Sequence, residues 1–346
     1  MRYAVLVAFA CVALCASPSF ADPVADFYRG KQIRFIIRAA PGGNYDLYMR
    51  LLARHMVRHL PGTPEAIPVN MPGGGGLTAL NYTLNVAPQD GTVLTMVTST
   101  APMDQALGLL KAPNIDLRSL QWIGNMSDEN YFLVTSRESG IRMLEDATKR
   151  EVRLAGAGAG DTQQILVAVC NSMLGTKFKS IIGYRTGAEM NLAVERREVD
   201  GRSTTNLPAL FATRPDGAAA FNTLLQAGLD KSPDFPNVPL LRELARNPEQ
   251  KIVLDFLSRS VSPGRPVATN GRVPAERVAA LRQAFDLAMK DPQLLEDAKR
   301  QNLDISPWTG NRLQQVVAEI LDTPAADIAR IRQAIEAGSS EGQRAN

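Results

Sequence analysis

The sequence predicts an α/β protein of two hinged lobes, each built on a parallel or mixed sheet, with a helical C-terminal segment wrapped over them. Three observations predict it. Short β-branched runs alternate with helical patterns over the first two-thirds of the chain, the signature of sheets covered by helices. From Pro274 onward the pattern is almost wholly helical. Finally, 346 residues are long for a single core, yet no low-complexity linker divides them, so two domains must be joined by short segments that cross more than once.

Taken in order, Arg2 gives a thin positive start, the stretch 3–16 is almost wholly apolar, and Ser19-Phe20-Ala21 puts small residues at the -3 and -1 positions of a cut. Residues 1–21 therefore read as a secretory signal peptide cleaved before Asp22. Leu14 precedes Cys15 where a lipoprotein signal needs a small residue, so lipid anchoring at Cys15 is the weaker reading. Strands are predicted at 32–39, 66–71, 92–99, 131–136, 152–157, 178–184 and 221–229. Helices are predicted at 46–60, where Leu47, Leu51 and Leu52 share a face, and at 161–175, where Ile165, Val169 and Met173 do. Helices follow at 274–290, at 291–302 and from 311 to 337 with a break at Pro324, and the small polar tail from Gly338 is expected to fray. A first crossing between lobes is expected within 122–134 and the return within 252–270. This gives lobe 1 as 22–127 plus 260–346 and lobe 2 as 128–259.

Composition excludes several functions. Lys plus Arg number 38 against 35 acidic residues, a net charge of +3, which leaves no footprint for nucleic acid. Beyond the leader no run reaches the ~18 apolar residues of a membrane span. The two histidines, His55 and His59, share a helix face, but Met56 stands where H-E-x-x-H needs Glu, so no metal is expected. Once Cys11 and Cys15 leave with the leader, only Cys170 remains, inside an apolar pattern as a buried small hydrophobe. There is no G-x-S-x-G elbow and no constellation for acid/base or covalent chemistry, so no enzyme and no cofactor are expected.

What remains is glycine at strand ends. Pro41-Gly42-Gly43-Asn44-Tyr45 follows the first predicted strand, Pro72 to Gly76 the second, Thr98-Ser99-Thr100 the third, and Gly158-Ala159-Gly160-Asp161-Thr162 the strand at Val152. Each leads into a helix at the carboxyl end of a strand, where open α/β sheets bind ligands. Glycine lets amides approach a ligand, helix N-termini favour an anion, and the hydroxyls of Thr98, Ser99, Thr100 and Thr162 add donors. Gly43 is read as a position of positive φ that excludes a β-branched side chain. Asp161 is read either as facing the cleft or as an N-cap of the following helix.

With these motifs in hand, residues Phe27 to about Pro307 resemble the periplasmic receptors of tripartite tricarboxylate transporters, the Bug receptors. The resemblance rests on Ala40-Pro41-Gly42-Gly43-x-x-Asp46, on Asn70-x-Pro72-Gly73-x-Gly75-Gly76, and on Ala87-Pro88-x-Asp90-Gly91-Thr92. It also rests on the glycine turn at 156–163, the stretch 182–201 ending Val199-Asp200, and the segment 231–244 containing Ser232-Pro233. It implies a two-domain periplasmic binding protein of the Venus flytrap, class II-like type. Such a protein is a periplasmic monomer that captures a small organic carboxylate and delivers it to integral-membrane permease subunits. The contacts it carries over are Pro41, Gly42, Gly43, Asn44, Gly158, Ala159, Gly160 and Thr162, then Thr98, Ser99 and Thr100, then Tyr184, Thr186, Gly187, Ser203, Thr204 and Thr205. Asn44 and Tyr45 replace smaller residues and make the mouth more aromatic, Thr186 replaces a glycine, and Asp161 replaces a neutral residue. A secreted hydrolase using the same cleft and a ligand-sensing receptor for a signalling partner are the alternatives.

Overall fold

In the computed structural model the described residues are 22–343 except 111, 159, 160 and 206. The signal-peptide reading therefore lies outside the described residues, as do Ala159 and Gly160. The chain starts with helix α1 (Pro23–Tyr28), whose Asp22 cap accepts from the Val24 amide. Strand β1 (Gln32–Ile37) buries Ile33, Phe35, Ile36 and Ile37, each contributing about 1.5–3 kcal/mol of transfer free energy. Helix α2 (Asn44–Met56), β2 (Glu65–Asn70), α3 (Leu77–Asn81), β3 (Val93–Met96), α4 (Ala101–Ala106) and β4 (Leu120–Asn125) follow. β1 lies between β2 and β3 and is parallel to both.

The chain then changes sheets. Strand β5 (Tyr131–Ser136), helix α5 (Asp146–Lys149), β6 (Val152–Gly156), α6 (Thr162–Leu174), β7 (Phe178–Ile182), α7 (Gly187–Glu195), β8 (Gly201–Thr204), α8 (Leu207–Phe211) and β9 (Phe221–Ala227) build a second sheet of order β7-β6-β8-β5-β9. β6 is parallel to β7 and β8, whereas β5 runs antiparallel to β8 and β9. Helix α9 (Pro248–Val261) leads back, and β10 (Pro266–Asn270) inserts antiparallel between β3 and β4. Helices α10 (Ala275–Ala288) and α11 (Pro292–Arg300), strand β11 (Trp308–Thr309), and helices α12 (Gly310–Leu321) and α13 (Ala325–Gln343) complete the chain. The first sheet has the order β11-β4-β10-β3-β1-β2. Two mixed sheets covered by helices are the α/β architecture the sequence predicts.

The two crossings run side by side. The Glu129 amide donates to Ser262 O (2.9 Å), Gly264 N to Ser127 O (3.1 Å) and Met126 N to Arg265 O (3.1 Å). Gly264 is there because the strands approach too closely for a side chain: a Cβ would lie 2.7 Å from Ser127 O and 2.6 Å from Glu129 Cγ. A third segment joins, since Ser306 O accepts from the Asp128 amide at 3.2 Å.

Three features depart from the sequence reading. β4, β8 and β10 are strands that periodicity does not reveal. β8 reads Gly-Arg-Ser-Thr, all buried yet without an apolar period, and β4 runs into the stretch read as a crossing. Of the tail from Gly338 that is expected to fray, the described part is helical: helix α13 continues to Gln343. The sequence reading also puts 325–343 with the first lobe, but α13 lies along α6 under the second sheet. Ile331 and Ala334 are buried in the same apolar cluster as Val169, and a Cβ at Gly338 would be 1.8 Å from Ala168 O. That cluster runs from Trp122 and Val317 through Phe256 to Val169, so one apolar core backs both sheets.

Candidate functional site

The turn between β1 and α2 is held from beneath. Pro41, Gly42, Gly43 and Asn44 are exposed, while Asp46 is buried two residues into the helix. One Asp46 oxygen accepts from the Gly42 amide (2.9 Å); the other accepts from Arg50 Nε and Asn70 Nδ2, both at 2.8 Å. Asn70 Nδ2 also donates to Ala39 O (2.9 Å), and Arg50 donates to Asn70 Oδ1 (2.6 Å). The network therefore ties the first glycine turn to the end of β2. Burial by itself would raise the Asp46 pKa. The hydrogen bonds from Gly42, Asn70 and Arg50 outweigh that and hold the carboxyl below its ordinary value.

Gly42, at φ +88°, is the residue that needs glycine. Gly43 does not: its φ is -82° and ψ 166°, the extended geometry of an N-cap, and only Ala40 O comes near a Cβ placed there. The expectation of positive φ at Gly43 is corrected by one residue, because the reversal is made before the cap and the cap itself is ordinary extended backbone.

The second glycine turn is exposed from Pro72 to Gly75 and only Gly76 is buried. Gly73 to Gly76 all have positive φ, and Gly75 O accepts from Arg38 Nη2 and Thr98 Oγ1, each at 2.8 Å. The Thr100 hydroxyl likewise donates to Asp104 (3.2 Å). Both hydroxyls thus serve the turn and the helix start. Ser99 is different: its amide donates to the Tyr45 hydroxyl, which donates in turn to Ser99 Oγ, both at 3.3 Å. Tyr45 does not simply pack beside its helix. Its ring lies 4.4 Å from the Arg38 guanidinium and 5.0 Å from that of Arg265.

Arg265 belongs to the return crossing and pairs with Glu129 of the outgoing one at 2.6 Å. Burial pushes the Glu129 pKa up, against the opposing charge of Arg265. Beside them, burial pushes the Tyr131 hydroxyl up, with further contributions from the charges of Glu129, Tyr45 and Asp161. Tyr45 of the first turn, the hinge pair and Asp161 of the second sheet's glycine turn therefore all act on Tyr131.

On the second sheet Asp161 is the N-cap of α6, its side chain accepting from the Gln163 amide (3.4 Å), and Thr162 is buried in the first turn. Nothing approaches a Cβ at Gly158. Thr186 caps α7 by accepting from the Glu189 amide (3.2 Å), and the Glu189 side chain reaches back one residue past the cap to accept from Arg185 N (2.7 Å). Gly187 opens that helix, and Tyr184 packs on the apolar cluster under it. Ser203 and Thr204 are buried at the end of β8, where the Ser203 hydroxyl has no partner.

The sequence reading named Gly187, Thr204 and Thr205 of the pocket these ends form, but missed Arg202, Gln163 and Asn191. A cavity of about 640 Å³ lies between α6, α7 and the end of β8, with Gln163, Gly187, Asn191, Glu195, Arg202 and Thr204 in its wall. Arg202 is 4% exposed. It donates from Nε to Ser203 O (3.0 Å) and from Nη1 to Gly187 O and Asn191 Oδ1 (2.7 Å each). Burial pulls its guanidinium down to about 10, and the negative charge of Asp161 opposes that pull. The available signal was a cation set inside a four-residue buried strand.

The two histidines and Cys170 have other partners or surroundings. His55 Nε2 meets Asp297 at 2.8 Å and His59 Nε2 meets Asp291 at 3.0 Å, behind the first sheet. Burial pushes the Cys170 thiol up to about 12. Among the described residues no cluster of three or more His, Cys, Asp or Glu could hold a metal, and no helix is long and apolar enough to cross a membrane.

No family model matches the chain. Among curated proteins it is 27% identical over 338 residues to the UPF0065 protein in gbd 5'region of Cupriavidus necator, covering 95% of this chain and 96% of that one. It is 28% identical over 249 residues to BugT of Bordetella pertussis, covering 66% and 71%. A TctC solute-binding protein from Polaromonas, solved without ligand, superposes with a TM-score of 0.71 at 21% identity, over 88% of this chain and 99% of that one. The periplasmic binding protein BugD (TM-score 0.57, 18% identity, 91% and 99%) and MatC of Rhodopseudomonas palustris with bound malate (TM-score 0.57, 16%, 88% and 99%) share the fold. The resemblance to the Bug receptors read from the sequence is borne out, and the fold is that of a periplasmic solute-binding protein.

Proposed function

We propose that this chain is a periplasmic receptor of a tripartite tricarboxylate-type transporter. It captures a small organic carboxylate between its lobes and presents it, unaltered, to integral-membrane permease subunits. The observation that carries this reading is the first turn: four exposed residues, Pro41 to Asn44, pinned from beneath by the buried Asp46. Free amides at a helix N-terminus hold a carboxylate without needing an arginine. The malate in MatC is an organic acid held by the same fold.

In this reading Gly42, Gly43, Asn44, Ser99, Gly158, Ala159, Gly160 and Thr162 touch the ligand, and Tyr45 closes over it. Thr98, Thr100 and Thr186 act at one remove, because their hydroxyls hold the turns and caps. The lobes rotate about the paired crossings at 126–130 and 262–265, with the outgoing lobe as 128–259, and the receptor works as a monomer. It does no chemistry: its histidines and cysteine lie away from the cleft.

A thermal-shift screen against mono-, di- and tricarboxylates, aromatic acids and amino acids tests the reading. A ligand at ~100 Kd adds about 2.7 kcal/mol to the folded state and raises the melting temperature visibly. X-ray scattering with and without the hit should show the particle contract, since closure requires tighter binding to the closed state. Absence of a shift with every acid, or turnover of a bound one, overturns the proposal.

A further inference from the structure

Arg202 is a buried cation that donates to two carbonyls and an amide oxygen; among the described residues it has no ion pair. A guanidinium moved out of water is costly to hold unless an opposite charge answers it. The nearest carboxylate that acts on it, Asp161, is turned to the Gln163 amide as a helix cap. Yet Arg202 does not sit in a closed core. It forms part of the wall of the 640 Å³ cavity, whose one carboxylate, the exposed Glu195 at the far end of α7, makes no ion pair with it among the described residues. A purely structural brace between β8 and α7 explains the contacts to Gly187 and Asn191. It does not explain why a cavity of ligand size opens beside a buried guanidinium that has no ion pair among the described residues.

We infer that Arg202 is a specificity-determining residue that receives a second anionic group of the ligand, in the cavity between α6, α7 and β8. The inference rests on the receptor reading, in which the first anionic group lies on the exposed first turn. The second sheet then supplies the charge that the first turn lacks. A planar guanidinium suits a carboxylate or another flat or trigonal anion, which it can meet with two parallel N–H donors. The preferred ligand is therefore a dianion long enough to reach from the Pro41–Asn44 turn past Asp161 to Arg202.

The test uses calorimetric titration of the whole mature protein with linear diacids from succinate to suberate and with the half-amide of each. Diacid and half-amide have nearly the same shape and differ by one charge. The wild-type protein is expected to prefer one diacid over its half-amide by roughly tenfold to a hundredfold, as a charged hydrogen bond in a buried site implies. Arg202→Gln is expected to remove that preference while leaving half-amide affinity within a few-fold. If Arg202→Gln weakens diacid and half-amide equally, or keeps the preference, Arg202 is only a brace and the inference falls. If the wild type binds diacid and half-amide alike, the inference falls and the receptor reading stands. If it binds none of these acids or those of the broader screen, the receptor reading falls first. Should Arg202→Gln not fold, Arg202→Lys takes its place: it keeps the charge but not the paired donors, so a reduced preference is expected. A crystal of the wild type with the preferred diacid then locates the distal carboxylate, and a position away from Arg202 overturns the assignment.

Discussion

Replacing Asp46 by Asn tests whether the first turn is held by its buried carboxylate. Asp46 receives donors from three directions: Gly42 N at one oxygen, Arg50 Nε and Asn70 Nδ2 at the other. Asparagine keeps one acceptor oxygen. If that oxygen stays with Arg50 and Asn70, the new NH2 faces the Gly42 amide, donor against donor, in a buried position. One charge-assisted hydrogen bond is lost, worth about 1.5–3 kcal/mol, and the pairing with Arg50 weakens. We expect about 2–3 kcal/mol of destabilisation at neutral pH, read as a lowered urea midpoint at unchanged slope. The sign with pH follows from the depressed pKa of Asp46. The contribution is fully present above the ordinary carboxyl value and is lost as pH falls through the lower folded value. The gap between wild type and Asp46→Asn should therefore narrow below about pH 3.8. Carboxylate affinity should fall as well, since the amides of the turn are no longer pinned. A midpoint change below about 0.5 kcal/mol, or a gap that does not depend on pH, would refute the reasoning.

The two neighbouring glycines should respond differently: Gly42→Ala should cost about 1–2 kcal/mol by denaturation because of its left-handed backbone, and Gly43→Ala less than ~0.5; equal costs would contradict the geometry. Gly264→Ala should destabilise more than either, because its Cβ meets main chain of the opposite crossing, and urea titration of the three side by side decides the order. His55 has a lowered pKa, first from burial and then from the Arg58 charge. It thus stabilises the neutral state, present above its ordinary value of about 6.5 and lost as pH falls through the lower folded value. His55→Gln should flatten that part of the stability–pH curve, and an unchanged slope would show that the imidazole does not titrate with unfolding.

Much of the molecule was legible because its signals are local. β1, β2, β3, β5, β6, β7 and β9 carry their β-branched runs, and α2 and α6 their apolar faces, on adjacent residues. Glycine at a strand end needs no partner to announce a turn. The capping of α6 by Asp161 is equally local. The same locality explains the error at Gly43: a sequence locates a reversal to within a residue, and only the dihedral angles decide which glycine makes it.

The sequence by itself determined the alternation of strands and helices, the glycine turns at the carboxyl ends of the strands, and the absence of any catalytic or metal motif, since each depends on neighbours within a few residues. The tertiary structure decided what those turns can offer. It paired Asn70 with Asp46 across 24 residues, used the Thr98 and Thr100 hydroxyls to hold backbone and helix start, set α13 against α6, and enclosed Arg202 beside a cavity. Those outcomes depend on which distant groups are brought together and which are removed from water, and burial of a charge has no period in the chain from which it could be read.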